Sequence, residues 1–239
     1  MHLEKITLHP DKYPTNELYP FNLDVLRQTE SITFATPLTF FIGENGTGKS
    51  TLLRAICQRC NIFIWEDTER MLYEANPYLD KLYRYIDAGW ADGPVPGSFF
   101  GAQIFQDFAR FLDEMAHATP KMLDYYGGSS LMAKSHGESL IQFFAAMYKV
   151  KGLHFLDEPE TALSPKSQLK LLRILKTMTK DNHAQFIIAT HSPILLAFPG
   201  ATIYSLDFAP IKQVDYEETE YFTVYKDFME NREKYLKEI

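Results

Sequence analysis

The sequence predicts an α/β fold, because three apolar runs of strand length each end in polar or glycine residues. The runs are residues 38–42, 152–156 and 185–190, and they are followed by Gly43, by Asp157 and by His191. Continuous apolar runs of this length are typical of strands buried on both faces, as in a parallel sheet. The carboxyl ends of such strands are where open α/β sheets bind ligands.

The first run leads into a glycine-rich segment, GENGTGKST, which matches the pattern G-x-x-x-x-G-K-[ST]. A helix is predicted from Gly48 to about Arg59, so the segment lies between a strand and a helix. In this context the backbone amides and the helix N-terminus bind phosphate. Lys49 would reach the β- and γ-phosphates, and the hydroxyl of Ser50 would bind Mg²⁺. A glycine-rich turn without nucleotide is the alternative. The predicted phosphate loop consists of Gly43, Glu44, Asn45, Gly46, Thr47, Gly48, Lys49, Ser50 and Thr51.

The second run ends in two adjacent acids, Asp157 and Glu158. Successive residues of a strand point to opposite sides, so the two carboxylates can have different roles. In a nucleoside triphosphatase the first acid holds Mg²⁺ and the second polarises the attacking water. The third run ends at His191. A histidine in this position is often structural, but at the carboxyl end of the sheet it is also placed to sense a phosphate.

The composition indicates one folded α/β domain over residues 1–239. Hydrophobic residues make up 46% of the chain, and the net charge of −7 argues against coating of nucleic acid or membrane by bulk charge. We find no signal peptide and no apolar run of membrane-spanning length, so we expect a cytoplasmic protein. Cys57 and Cys60 form a C-x-x-C on the predicted helix, without further ligands at zinc spacing. Two reduced, half-buried thiols are the expectation.

Outside the core, strands at residues 3–9 and 31–35 predict a small N-terminal β-layer, with a helical turn at 22–28. Tyr13, Tyr19 or Phe21 could stack on an adenine from this layer, although packing is the more frequent role of each. A strand is expected at residues 62–65. Beyond this strand the sequence has segments of helical pattern rich in Tyr, Phe and charged residues, which predict a helical lobe inserted at about residues 66–150.

In the C-terminal part, Ser164 and Pro165 predict the start of a helix over about 166–180. Its basic residues form one stripe, which is either a solvated face or a contact for an acidic partner or DNA. The stripe consists of Lys166, Lys170, Arg173, Lys176 and Lys180. Closing strands are expected at 201–207 and 211–216, and a charged helix at 220–238.

With these pieces in order, the chain resembles the ATP-binding-cassette (ABC) ATPase superfamily, and within it the soluble RecF-like and SMC-like branch of small stand-alone AAA ATPases. The motifs are GENGTGKST at 43–51, SHGES at 135–139, GLHFLDEPE at 152–160 with the following TALSP, and THSP at 190–193. The resemblance implies a P-loop NTPase fold with an ABC-type RecA-like core. It also implies ATP and Mg²⁺ as nucleotide and cofactor.

The resemblance further implies that Ser135, Gly137 and Glu138 form a signature loop that caps the γ-phosphate of a second subunit. Transporter cassettes read LSGGQ here, so the leucine and the first glycine are not kept. Residues 161–164 would be a dimer-contacting turn and His191 the switch histidine. A glutamine is also expected to contact Mg²⁺ and the attacking water, but neither Gln103 nor Gln106 follows a clear strand.

The predicted function is Mg²⁺-dependent ATP hydrolysis by an ATP-dependent homodimer acting as a soluble switch in DNA maintenance or defence, with DNA or a protein as partner. The alternative is the ATP-binding subunit of an ABC transporter, since such subunits are soluble chains of similar length. A third class is a nucleotide-dependent binding module with vestigial hydrolysis, which the paired acids and His191 disfavour. The phosphate loop does not distinguish ATP from GTP.

Overall fold

The computed structural model describes residues 1–65, 76–102, 105–126, 128, 130–131 and 136–237. Nine strands lie in these ranges: β1 (Leu3–Leu8), β2 (Ser31–Thr33), β3 (Leu38–Ile42), β4 (Ile86–Trp90), β5 (Gly97–Gly101), β6 (Gly152–Asp157), β7 (Ala184–Ala189), β8 (Thr202–Ser205) and β9 (Lys212–Val214). The α-helices are α1 (Asp24–Gln28), α2 (Lys49–Arg59), α3 (Phe105–Ala118), α4 (His136–Met147), α5 (Pro165–Met178), α6 (Pro193–Leu196) and α7 (Glu220–Leu236).

The main sheet has the strand order β5-β6-β7-β3-β8-β9. Its first five strands are parallel, and β9 pairs antiparallel with β8. The three apolar runs of the sequence are therefore neighbours, since β3 lies beside β7 and β7 beside β6. Their carboxyl ends lie along one edge of the sheet, as predicted for a ligand site.

Both faces of the main sheet are covered, which explains why its strands are continuously apolar. Alternate residues of β3 point to opposite sides: Phe41 packs in a core with α2 and the N-terminal strands, and Phe40 packs in a second core with α4 and α5. The N-terminal β-layer is a separate antiparallel sheet of order β2-β1-β4. In the register of this small sheet, Ile6 lies opposite both Ile32 and Ala88.

The prediction of a strand at residues 62–65 was wrong. This segment has no regular structure, because the chain turns at Asn61, whose φ is 56°, and only Ile62 of the apolar run is buried. Phe63 is 79% exposed. Ile62 is buried in the core with α2, and Ile64 packs partly against the same core. The ring of Trp65 contacts those of Phe108 and Phe111 on α3.

Two strands that the sequence did not predict, β4 and β5, lie within residues 66–150, the range of the predicted helical lobe. Strand β4 completes the small sheet and β5 forms the edge of the main sheet. Strand β5 begins at Gly97, where a Cβ atom would lie 2.0 Å from the carbonyl oxygen of Leu153. The helical part of the described lobe is α3 and α4, whose rings pack on Phe100 of β5.

The C-terminal half follows the sequence expectation closely. The hydroxyl of Ser164 accepts a hydrogen bond from the amide of Ser167 and caps α5, with Pro165 in its first turn. All five residues of the basic stripe are exposed. Among the described residues, no helix combines the length and apolar character needed to span a membrane.

Cys57 and Cys60 are free thiols, and both are buried rather than half-buried. Burial raises the pKa of Cys60 to about 12 and raises that of Cys57 further. The C-x-x-C at the end of α2 therefore packs in the core.

Candidate nucleotide site

The glycine-rich loop joins the carboxyl end of β3 to the N-terminus of α2, at the centre of the main sheet. Two of its glycines are required by geometry as well as by backbone conformation. Gly43 has φ 142°, and a Cβ there would lie 2.9 Å from Oγ1 of Thr47. Gly48 has φ 99°, and a Cβ there would lie 2.8 Å from Cδ1 of Leu23. The loop therefore has the tight, left-handed backbone that turns amide groups toward a bound anion.

Lys49 lies inside this loop. Its Nζ donates hydrogen bonds to the carbonyl oxygens of Gly43 (2.7 Å) and Glu44 (2.9 Å), and the residue is only 5% exposed. Burial lowers the pKa of Lys49, while the carboxylates of Glu158 and Asp207 oppose that shift. Among the described residues, the hydrogen-bond acceptors of this buried ammonium group are neutral carbonyls, so the group is well placed to receive phosphate oxygens.

Ser50 and Asp157 meet at the mouth of the loop. The hydroxyl of Ser50 donates to Oδ1 of Asp157 at 2.8 Å, which joins α2 to the end of β6. Burial raises the pKa of Asp157 to about 6, and the hydrogen bond from Ser50 opposes that shift.

This pair fits Mg²⁺, which favours oxygen ligands and takes most of them from phosphates and water. Among the described residues, no cluster of three or more His, Cys, Asp or Glu could hold a metal ion. A magnesium ion bound mainly by substrate would not require one.

Glu158 and His191 face each other beside this pair. Oε1 of Glu158 lies 3.5 Å from Nε2 of His191, and Glu158 has a left-handed backbone with φ 47°. The amide of His191 donates to Oε1 of Glu160 at 2.5 Å, which fixes the turn after β7. Burial and the charge of Lys49 lower the pKa of His191, while Glu158 opposes them. Nε2 of His191 is buried and has no hydrogen-bond partner among the described residues.

The two predicted signature residues that the structure describes, Gly137 and Glu138, belong to the lobe rather than to this cluster. Ser135 lies outside the described residues. Gly137 and Glu138 lie in the first turn of α4. The Cβ position of Gly137 would be 3.6 Å from the carbonyl oxygen of Ala162 and 3.5 Å from Oγ of Ser167. Glu138 is exposed. The start of α4 therefore packs against the turn that follows the paired acids.

Gln103 lies outside the described residues, as does the side chain of Gln106. The structure does supply the strand that the sequence did not reveal, because β5 ends two residues before Gln103. The sequence signal for β5 was weak, since the strand Gly97–Gly101 has a glycine at each end.

Of the three aromatic candidates for adenine stacking, two have packing roles. Phe21 is fully buried and its ring lies 4.8 Å from that of Tyr13, whose hydroxyl donates to the carbonyl of Leu26. Tyr19 lies nearer the loop, where its hydroxyl contacts Oγ1 of Thr51. Tyr19 and Thr51 also line a cavity of about 230 Å³.

Two residues at the loop were not predicted as site residues. Oδ1 of Asp207 accepts from the amide of Glu44 at 2.7 Å, and the hydroxyl of Tyr221 donates to the carbonyl of Gly43 at 2.8 Å. Asp207 could have been found, because it follows a strand predicted to end there. Tyr221 had no sequence signal, since it lies on a helix whose packing the sequence did not settle.

The architecture defines a class of protein. A phosphate loop follows a central parallel strand, paired acids end the strand two places away, and a histidine follows the strand between them. The fold is that of the ABC-superfamily ATPases, a P-loop NTPase fold. Such a fold supports ATP binding and hydrolysis.

Comparisons with known proteins agree with this fold. Residues 98–197 match a family of AAA domains whose description links it provisionally to the AbiEii toxin of Type IV TA systems, and residues 20–61 match a second AAA domain family. The first match includes Asp157, Glu158 and His191, and the second includes the phosphate loop. Among the curated proteins, none matches this sequence.

Several solved structures are similar to this chain. The SMC head domain from Thermotoga maritima has a TM-score of 0.50 at 16% identity, over 90% of this chain and 99% of that one. An SMC head bound to the C-terminal winged-helix domain of ScpA has a TM-score of 0.54 at 11% identity, over 90% and 98%. An inward-facing ABC transporter, assigned to the metal-chelate type, has a TM-score of 0.53 at 16% identity, over 94% and 88%. At 11–16% identity, these similarities concern the fold.

Proposed function

We propose that this protein is an Mg²⁺-dependent ATPase whose site is formed by the phosphate loop, the paired acids and His191. The observation that carries the proposal is the contact between Ser50 and Asp157 at 2.8 Å, beside the buried ammonium group of Lys49. Two oxygen ligands for a hard cation and a cation for phosphate thus meet at one helix N-terminus. This combination suits a nucleoside triphosphate bound with its magnesium ion.

In this proposal, Lys49 and the backbone amides of residues 45–50 bind the phosphates, and Ser50 and Asp157 hold Mg²⁺. The bound ion would neutralise negative charge on the phosphate oxygens. Glu158 orients the attacking water by accepting its hydrogen bond. His191 adds a donor at the γ-phosphate. Catalysis then consists of positioning and electrostatic stabilisation by groups held in place before substrate arrives.

We further propose that two copies close head to tail around two ATP molecules, with Ser135, Gly137 and Glu138 of one copy contacting the γ-phosphate bound by the other. Support comes from the packing of Gly137 against the turn at Ala162. Glu138, Thr161 and Ser164 are all exposed, and they belong to segments in contact. The start of α4 and the turn after the paired acids thus offer one continuous surface to a second copy.

The first experiment measures the molar mass of the Glu158→Gln variant by light scattering, with and without Mg-ATP. We expect a shift from monomer to dimer with ATP, because the amide keeps the shape of the site but cannot polarise the water. The exposed Glu30→Gln is the matched control and should turn over ATP like the wild type. Wild-type turnover by Glu158→Gln would refute the role of Glu158. A mass unchanged by ATP would refute closure of the dimer by this chain alone.

For the cellular role, we propose a cytoplasmic ATP-gated switch in DNA maintenance or defence. The family description that mentions a toxin of Type IV TA systems favours defence. The exposed basic stripe on α5 is the candidate DNA contact. DNA retention that falls steeply with salt, and that weakens when Lys170 and Arg173 become glutamine, would support this role. The alternative is the ATP-binding subunit of an ABC transporter, and co-purification with a membrane protein would favour it.

A further inference from the structure

Tyr221 lies where the last helix meets the phosphate loop and His191. Its hydroxyl is 2.8 Å from the carbonyl oxygen of Gly43 and 2.9 Å from Nδ1 of His191. The two rings contact each other edge to face, with centroids 5.5 Å apart. One hydroxyl group of α7 therefore touches both the first residue of the phosphate loop and the histidine after β7.

Counting protons fixes the direction of both hydrogen bonds. A carbonyl oxygen can only accept, so the single proton of the Tyr221 hydroxyl is donated to Gly43. The hydroxyl oxygen must then accept from Nδ1 of His191. In a neutral imidazole only one nitrogen carries a proton, so Nε2 is left as a bare lone pair.

The assignment of the proton to Nδ1 matters because of the groups that surround Nε2, on the other side of the His191 ring. Nε2 is buried, has no hydrogen-bond partner among the described residues, and lies 3.5 Å from Oε1 of Glu158. The charged groups that influence the ring from other elements are Lys49 on α2, Glu44 in the loop and Glu158 after β6, and Glu160 accepts from its backbone amide. A lone pair facing a carboxylate oxygen or a phosphate oxygen is repelled, whereas an N–H donor is attracted.

We propose that Tyr221 is a positioning residue that keeps the proton of neutral His191 on Nδ1, so that Nε2 donates to a terminal phosphate only in the imidazolium form. This inference deepens the proposed ATPase function and depends on it for its catalytic meaning. The histidine then contributes a full positive charge at the γ-phosphate, and a charge-assisted hydrogen bond is stronger than a neutral one. Because Tyr221 lies on α7, the tautomer of His191 also depends on the position of α7.

The direct test reads the tautomer by long-range ¹H–¹⁵N correlation spectra of protein labelled at histidine. Spectra are recorded at about pH 8.5, roughly two units above the ordinary pKa of histidine, where the ring is neutral. The His191→Gln variant identifies the signals of His191 among the seven histidines. We expect the proton on Nδ1 in the wild type and a shift of population toward Nε2 in Tyr221→Phe.

Tyr225→Phe is the matched control, because Tyr225 lies one turn further along α7 and is 53% exposed. It should leave the tautomer of His191 unchanged. A proton on Nε2 in the wild type would overturn the proposal, as would an unchanged Nδ1 proton in Tyr221→Phe.

The second test compares the pH dependence of ATP turnover. Wild type and Tyr225→Phe should lose turnover as the pH rises, because fewer molecules carry the imidazolium. Tyr221→Phe should have a lower maximal rate, by about tenfold, and a flatter alkaline limb, since its neutral ring can donate from Nε2. An alkaline limb identical to that of the wild type would overturn the proposal. If the wild type hydrolyses no ATP, the proposed function fails, while the tautomer experiment still decides the role of Tyr221.

Discussion

His154 offers a stability test of the strand that carries the paired acids. It lies on β6 and is 1% exposed. Nδ1 is 2.9 Å from Oγ of Ser98, and Nε2 is 3.2 Å from the carbonyl oxygen of Val150. Its ring packs against Tyr148 and Phe186, with centroids 4.8 Å and 5.3 Å away. Burial lowers the pKa of His154 from 6.5 to about 4, so the folded protein holds this histidine neutral.

The sign of the pH effect follows from this shift. Between pH 6.5 and about pH 4 the unfolded chain binds a proton at His154 that the folded protein does not bind. The free energy of unfolding therefore falls as the pH is lowered through this window, and it is fully retained above it. Since one pKa unit corresponds to about 1.4 kcal/mol, the full loss is about 3 kcal/mol, and about 2 kcal/mol of it is lost between pH 7 and pH 5.

The assay is urea unfolding of the wild type and of His154→Gln at pH 7 and pH 5. We expect the free energy of unfolding of the wild type to fall by about 2 kcal/mol more than that of the variant. All other titrating groups are common to both proteins, so they cancel in this difference. His117→Gln is the control, because His117 is exposed and should leave the pH effect unchanged. Equal losses in the wild type and His154→Gln would show that His154 is not held neutral.

Three further predictions concern the loop, the sheet and the thiols. Lys49→Ala should abolish ATP binding in calorimetry while the exposed Lys166→Ala retains it, and binding by Lys49→Ala would contradict the phosphate loop assignment. Gly97→Ala should lower the free energy of unfolding by about 3 kcal/mol, because its Cβ meets the Leu153 carbonyl at 2.0 Å, whereas Gly89→Ala makes only ordinary contacts and should cost about 1 kcal/mol or less. Cys57 and Cys60 should resist alkylation at pH 8 until urea unfolds the chain, and rapid labelling of the native protein would refute their burial.

The sequence predicted the central part of the fold because each element there has a strong local cause. Residues 38–42 and 184–189 are buried on both faces, so their apolar character is continuous. Ser164 and Pro165 are good helix-start residues by their own chemistry. The loop, the acids and His191 then follow from chain order, since each ends a parallel strand.

The remaining elements depend on tertiary contacts that no local pattern reveals. Strand β5 begins with a glycine because it approaches β6 closely at Gly97, and glycines in a sequence indicate turns as readily as strands. Residues 62–65 have the composition of a strand, but they follow a turn at Asn61, whose φ is 56°, and they pair with no strand among the described residues. Tyr221 contacts the loop and His191 through one hydroxyl, on a helix whose position is set by the whole fold, so no local sequence pattern could indicate it.

The position of β3 has a consequence for how the chain is made. In the main sheet this strand pairs with β7 and β8, which end at Ala189 and Ser205. When the phosphate loop leaves the ribosome, both of its neighbouring strands are still to be translated. A nucleotide therefore has no assembled pocket to bind until nearly all of the chain has emerged. ATP binding can therefore stabilise the folded protein, but it cannot direct the folding of the nascent chain.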